Sequence, residues 1–258
     1  MNKKVSLIII VILITTVLFS CAEKVETYHP DGSIKSTGQL KNGKKHGVAT
    51  LFYENGKVKE KGNWDNDKQQ GEWVFYYANG ILNSKVNFEN DLQNGITSFY
   101  AQDGKLYEES NWKNGALDGV SKTFYPSGQL KEQFNWLRGE KHGVSKIYYD
   151  NVAIQQVGYW EKNKQNGKFE TYYENGDTLQ IGLFISGLKH GTFKTYHENG
   201  QLASIINYKD NYQEGICTYY HNNGQIEQEG CFQQNKPIGI WKFYDPKGEL
   251  IAEKAMSK

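Results

Sequence analysis

NGKKHGVATLFYENG, residues Asn42 to Gly56, can be read in two ways. A Gly-Lys-Lys-His-Gly loop ahead of an apolar run suits a phosphate cradle or half of a metal site. It equally suits one unit of a repeating array, and counting decides between them. The Gly of the Asn-Gly turn recurs at Gly32, Gly56, Gly80, Gly104, Gly128, Gly176, Gly200, Gly224 and Gly248, in steps of 24, with Val152 filling the one gap. The Gly that closes the Lys-Lys-His loop keeps the same step without exception through Gly47, Gly71, Gly95, Gly119, Gly143, Gly167, Gly191, Gly215 and Gly239.

The side chains follow the same period. Five residues after each loop glycine stands an aromatic: Phe52, Tyr76, Tyr100, Phe124, Tyr148, Tyr172, Tyr196, Tyr220 and Tyr244, with Tyr28 one period earlier. A second slot opens with Leu40 and continues Trp64, Phe88, Trp112, Trp136, Trp160, Phe184, Tyr208 and Phe232. Two residues past the turn glycine lies an aliphatic, from Ile34 and Val58 to Ile226 and Leu250, with Thr178 as the exception. A 24-residue unit rich in Gly, Asn and β-formers is too short for a helix pair and reads as two strands joined by two turns. The fold class expected is all-β: an open array of antiparallel hairpins forming one long twisted sheet, over 28–258. A three-residue turn with Gly in the left-handed position sets Phe52 opposite Val58 and Tyr220 opposite Ile226, which puts these two slots on one face. Trp73, Phe75 and Tyr77, and likewise Trp241 and Phe243, then fall on the other face, as a candidate binding surface.

The first twenty residues have a different composition. A short cationic start with Lys3 and Lys4, an apolar run from Val5 to Val17, and Leu18-Phe19-Ser20-Cys21 have the layout of an export signal. The last four residues resemble a bacterial lipobox, which implies cleavage before Cys21 and lipidation of that cysteine. The chain thus divides into a signal (1–20), a lipidated N-terminus and short linker (21–27) and the array. The expected location is the bacterial cell envelope, the outer membrane in a Gram-negative host. Losing Lys3 and Lys4 from 30 basic residues leaves 28 against 29 acidic ones, a formal charge of −1. Nothing in that balance draws nucleic acid at long range.

The quoted loop, once placed in its series, resembles the MORN repeat. Gly38-x-Leu40-x-x-Gly43-Lys44-Lys45-His46-Gly47 nearly reproduces Gly-x-Trp-x-x-Gly-Lys-x-x-Gly, and Gly62-x-Trp64 leads likewise to Gly71. The period of 24 and the Tyr-Tyr-x-Asn-Gly-x-Leu segment are similar to the bacterial variant found in proteins called toxin–antitoxin system YwqK family antitoxins. The resemblance covers nearly everything after Cys21. It implies a scaffold that holds a protein partner or sits near a membrane, with an antitoxin or immunity-like role as one form.

Other chemistry finds little support. His46, His142 and His190 share a slot that elsewhere holds Gln70, Asn94 or Ile238, and at about 9 to 10 Å per repeat they stand too far apart for one metal. His197 and His221 lie in adjacent repeats, still wide for a joint ligand set. No nucleophile is paired with a base, so no enzyme, cofactor or metal is expected. The remaining alternative to a protein partner is a cell-wall or surface glycan stacked on exposed rings such as Trp73 and Trp241. Of the cysteines outside the signal and lipid site, Cys217 and Cys231 flank one hairpin. A strict continuation of the turn register sets Cys217 opposite Glu229, with Cys231 one diagonal of about 7 Å away, at the limit for a disulfide; free thiols are the expectation.

The anchor has a direct test. Cys21→Ser is expected to leave an unprocessed precursor that keeps its signal on a denaturing gel, and normal processing of that variant would refute the lipobox.

Overall fold

The computed structural model describes residues 22–256, so the export signal and Cys21 lie outside the described residues. Twenty-three antiparallel strands, β1 to β23, form one open sheet. Each strand pairs with its neighbours in the chain, so the sheet is a continuous meander. The first strands are β1 (Glu23–Tyr28), β2 (Ile34–Lys41), β3 (Lys44–Lys45), β4 (Gly47–Phe52), β5 (Val58–Asp65) and β6 (Lys68–Tyr76), and β23 (Leu250–Met256) ends the array. β1 takes up most of the segment read as a linker (21–27). It supplies the hairpin that brings the total to ten.

Each of the ten hairpins closes on the pair that the turn chemistry dictates, from Tyr28 opposite Ile34 to Tyr244 opposite Leu250. The turn glycine is in the left-handed region, as at Gly56 with φ 77°, where glycine carries no Cβ penalty. Val152 holds the same place with φ 67°, a conformation that is strained for a β-branched residue. Immediately beyond the closing pair the register shifts by one residue: Phe52 faces Val58, but Leu51 faces Glu60.

The other edge of the sheet differs from a simple loop. Asn66 and Asp67 both have positive φ, the signature of a two-residue type I′ turn, whose twist suits a hairpin. Pairing therefore resumes at once, with Asp65 opposite Lys68. It is interrupted at the loop glycine, where the partners jump from Asn63–Gln70 to Lys61–Val74 around Gly71 at φ 69°. This is a glycine bulge. In the opening stretch Asn42-Gly43 is the turn, Lys44–Lys45 is strand and Gly47 the bulge, so no cradle forms there.

The core is a single row of side chains crossing the sheet. It runs Val25, Gly38, Ala49, Gly62, Trp73, Val86, Thr97, Ser110, Ser121, Phe134, Ser145, Gly158, Phe169, Gly182, Phe193, Ile206, Cys217, Gly230, Trp241 and Lys254. Large rings have glycine or serine beside them. A Cβ built on Gly62 would lie 2.1 Å from the Trp73 ring, one on Gly182 2.2 Å from Phe193, and one on Gly230 2.3 Å from Trp241. The rings thus lie flat on the preceding strand, and Trp73, Phe193 and Trp241 keep 2%, 2% and 5% of their surface exposed. Burial of each contributes about 1.5–3 kcal/mol.

Where serine replaces the ring, the neighbouring aromatic slot supplies a donor instead. Trp112 Nε1–H donates to Ser110 Oγ at 3.0 Å, Trp136 to Ser121 at 2.7 Å and Trp160 to Ser145 at 2.8 Å. Where the ring is present, the same slot packs edge-on, as in Trp64–Trp73 and Phe232–Trp241, both with centroids 5.1 Å apart. From Trp73 onward one face of the sheet is therefore covered largely by its own rings.

Gly182→Ala forces Phe193 out of its seat and is expected to cost about 1–3 kcal/mol in denaturant unfolding. Gly38→Ala, whose new methyl would meet only Ala49 Cβ at 3.8 Å, is expected to be neutral or stabilising. Equal losses for the two would refute the volume match.

Candidate functional site

The five rings expected as a binding surface divide by burial. Trp73 and Trp241 belong to the packed row and are not available to a ligand. This corrects the sequence reading, and its cause is the pair of register shifts at the turn and at the bulge, which reassign the faces within each hairpin. Phe75 lies on the same side, stacked on Trp73 at 6.4 Å, and is half-buried. Tyr77 is half-buried with its hydroxyl donating to the Tyr100 carbonyl at 2.8 Å, and Phe243 is half-buried. Trp73 and Trp241 also stand seven repeats apart, so no single surface gathers the five.

Tyr77 is one rung of a ladder that ties each repeat to the next. Tyr53, Tyr125, Tyr149 and Tyr173 donate in the same way to the carbonyls of Tyr76, Tyr148, Tyr172 and Tyr196, at 2.7 to 2.9 Å. His29, His197 and His221 occupy the same slot and reach Phe52, Tyr220 and Tyr244 carbonyls through Nε2 at 3.2, 2.9 and 3.0 Å. A carbonyl only accepts, so these imidazoles carry their proton on Nε2. The two histidines singled out as a remote metal pair are thus structural donors in place of tyrosine. Of the other three, His46 lies 3.2 Å from Asp65 and His190 3.7 Å from Asp210. No cluster of three or more His, Cys, Asp or Glu side chains forms among the described residues.

The opposite edge carries its own ties. Asp67, Asp91, Asn163, Asn211 and Asn235, each in a type I′ turn, accept from the backbone N–H of Lys45, Gln69, Lys141, Lys189 and Gln213 at 2.6 to 2.8 Å. Lysines from that neighbourhood fold onto the rings: Lys45 sits 4.3 Å over Trp64, and Lys141 4.0 Å over Phe134 and 4.9 Å over Trp160. Cation–π contacts of this kind cover ring surface with an aliphatic stem.

The reverse face, on which side chains alternate with the packed row, is open. Its slot one residue past the bulge glycine holds Val48, Glu72, Ile96, Val120, Val144, Lys168, Thr192, Ile216 and Ile240. Ile216 and Ile240 keep 65% and 61% of their surface exposed. They lie one repeat apart in the same row, with Cys231 opposite Ile216 between them. The signal for this patch was present in the series of bulge glycines, but only the position of the bulge tells which face the next residue takes. A cavity of about 310 Å³ opens on the ring side at the N-terminal end, walled by Val25, Thr27, Gly38, Leu40, Ala49 and Trp64 among others.

The cysteines follow from the same shift. Glu229 faces Thr218, Cys217 faces Gly230 and Cys231 faces Ile216, so the two thiols point to opposite faces and no bond joins them. The diagonal expected between them does not exist. Burial pushes the Cys217 thiol up to about 11, whereas Cys231 is half-exposed.

Seven segments, 45–66, 69–90, 93–114, 117–137, 165–185, 189–210 and 213–234, match the family described as a MORN repeat variant. They cover more than half of the chain, which therefore belongs to that family. The unmatched unit between 137 and 165 is the one that holds Val152. Among solved structures, the crystal structure of TcdB2-TccC3 aligns with a TM-score of 0.23 and 10% identity over 86% of this chain. That of TcdB2-TccC3-Cdc42 aligns with a TM-score of 0.15 and 9% identity over 92% of it. The chain spans only 14% and 17% of those two proteins. A comparison with curated proteins finds no match.

Alkylation of the folded protein at about pH 8, well below the Cys217 value, is expected to label Cys231 and spare Cys217, with both labelled after unfolding. A cross-linked 217–231 peptide in non-reducing mass spectrometry would refute the register.

Proposed function

We propose that this member of the MORN repeat variant family is a non-enzymatic scaffold that binds a protein partner on the open face of its sheet. In this reading the chain is exported and held at the cell envelope by lipid on Cys21, and an antitoxin or immunity-like role is the specific form that the repeat type suggests. The observation that carries it is the aliphatic patch of Ile216 and Ile240, which lies exposed on a face where packing makes no demand for apolar residues. A row of aliphatics on a rigid lattice, flanked by charged residues such as Glu229 and Lys242, matches the apolar centre and polar rim of a protein interface. On the other face the apolar residues are explained by the packed row itself, whereas those of this face are not.

Affinity capture on the immobilised chain tests it, with Ile216→Glu/Ile240→Glu as the paired bait. A partner retained by the native chain and reduced about tenfold or more by the double variant, whose circular dichroism is unchanged, is the expected result. Equal capture by both would overturn the assignment of this face.

A further inference from the structure

The two ends of the sheet are not equivalent. β1 pairs only with β2 and β23 only with β22 (Lys236–Tyr244) among the described residues, so each leaves one row of backbone N–H and C=O groups open to an added strand. The strands alternate between two types, and β1 is of the type of β4 and β6 while β23 is of the type of β5. Within the chain a strand of the second type always precedes one of the first, as β5 precedes β6. Among the described residues β1 has no such predecessor.

A second copy of the chain would present β23 to β1 in the same phase, and charge opposes it. Gly62 and Lys61 of β5 lie beside Trp73 and Val74 of β6. Eight repeats on, their places in β23 are held by Lys254 and Glu253; two repeats back, the places of Trp73 and Val74 in β1 are held by Val25 and Glu26. End-to-end stacking therefore sets Glu253 against Glu26 and drives Lys254, the only charged side chain in the packed row, onto Val25. Like charges directly opposite destabilise a pair, and an inward-pointing lysine blocks an edge. The C-terminal end is closed in this way. The N-terminal end has no such guard: Val25 is apolar, and beside it the row runs Gly38, Ala49 and Gly62, small residues that leave the 310 Å³ cavity instead of a ring.

We infer that β1 is an acceptor edge for an extended peptide segment that adds as an antiparallel strand, with a small residue beside Val25 and a basic residue opposite Glu26. Backbone pairing supplies the affinity, and the alternate side chains, one set over the cavity and the other set facing Glu26, supply the selection. This edge is separate from the Ile216–Ile240 patch, so its test is independent of the scaffold reading.

The chain itself provides the probe. The β5 sequence VKEKGNWD, residues 58–65, added in the place of a predecessor to β1, sets its second lysine opposite Glu26 and its glycine beside Val25. Fluorescence anisotropy of the labelled peptide with the purified chain is expected to show saturable binding, weakened about threefold or more when that lysine is replaced by glutamate, VKEEGNWD. Val25→Lys, which transfers the C-terminal guard to this edge, is expected to abolish binding. Glu26→Lys, at an exposed site where, among the described residues, the carboxylate accepts only from the Tyr28 hydroxyl at 2.7 Å, is expected to reverse the preference between the two peptides. Lys254→Val at the far end leaves binding unchanged. Saturable binding that survives Val25→Lys, a preference that Glu26→Lys does not move, or no saturation at about 1 mM peptide would overturn the inference. So would end-to-end polymerisation of the native chain in analytical ultracentrifugation.

Discussion

Among the described residues the sheet of twenty-three strands has no second layer, so it has to bury its apolar surface within the thickness of its own side chains, and the row from Val25 to Lys254 is where this is done. An aromatic ring on one strand needs a small neighbour, glycine or serine, because the strands are only about 4.8 Å apart and the ring must lie flat to be covered. Trp73 over Gly62, Phe193 over Gly182 and Trp241 over Gly230 meet that condition with contacts that leave no space for a methyl. Serine with a tryptophan donor meets it in the central repeats. The choice of ring or serine in one strand thus fixes what the adjacent strands can hold, and the core is a chain of nearest-neighbour constraints.

The hydrogen-bond ladders have the same nearest-neighbour character. A Tyr or His rung at one edge and an Asp or Asn rung at the other join each repeat only to the next, as expected for a quasi-one-dimensional array. The rungs are not uniform. Ala101 occupies a Tyr slot with no hydroxyl to donate, and Val152 holds a left-handed turn that glycine holds elsewhere. Opening of the sheet is therefore easiest near these repeats, at the N-terminal side of the centre and just past it.

Much of the fold was legible because backbone demands are residue-specific. Only glycine sits comfortably at φ near +80° in turn after turn, so the 24-residue period is written in glycines and the closing pairs follow from turn geometry. The assignment of faces was not legible. Strand parity has period two, so the one-residue shift after Phe52 and the bulge at Gly71 each change which residues share a side, and the glycines that mark these places do not tell a bulge from a turn. Trp73 and Trp241 were therefore read as exposed, and Cys217 and Cys231 as facing one way. Pairing of a ring with glycine on the preceding strand was also hidden, since Gly62 and Trp73 belong to different slots of the repeat. β1 escaped notice because EKVETY has neither bulge glycine nor apolar alternation.

What distinguishes one repeat from another lies on the face that packing leaves free. The packed row admits little beyond rings, aliphatics and very small residues until it reaches Lys254, and the ladder slots admit donors with few exceptions. The slot after the bulge glycine has no such restriction, and runs from Glu72 and Lys168 to Ile216 and Ile240. A fold that leaves composition free at regular intervals on a stiff surface has the means to set a recognition pattern without disturbing its stability. An exposed isoleucine contributes little to holding the sheet together, whereas the desolvation available from covering it scales with its exposed area. Two such residues in one row, backed by a core that fixes their spacing, are what the proposed protein partner would have to cover at once.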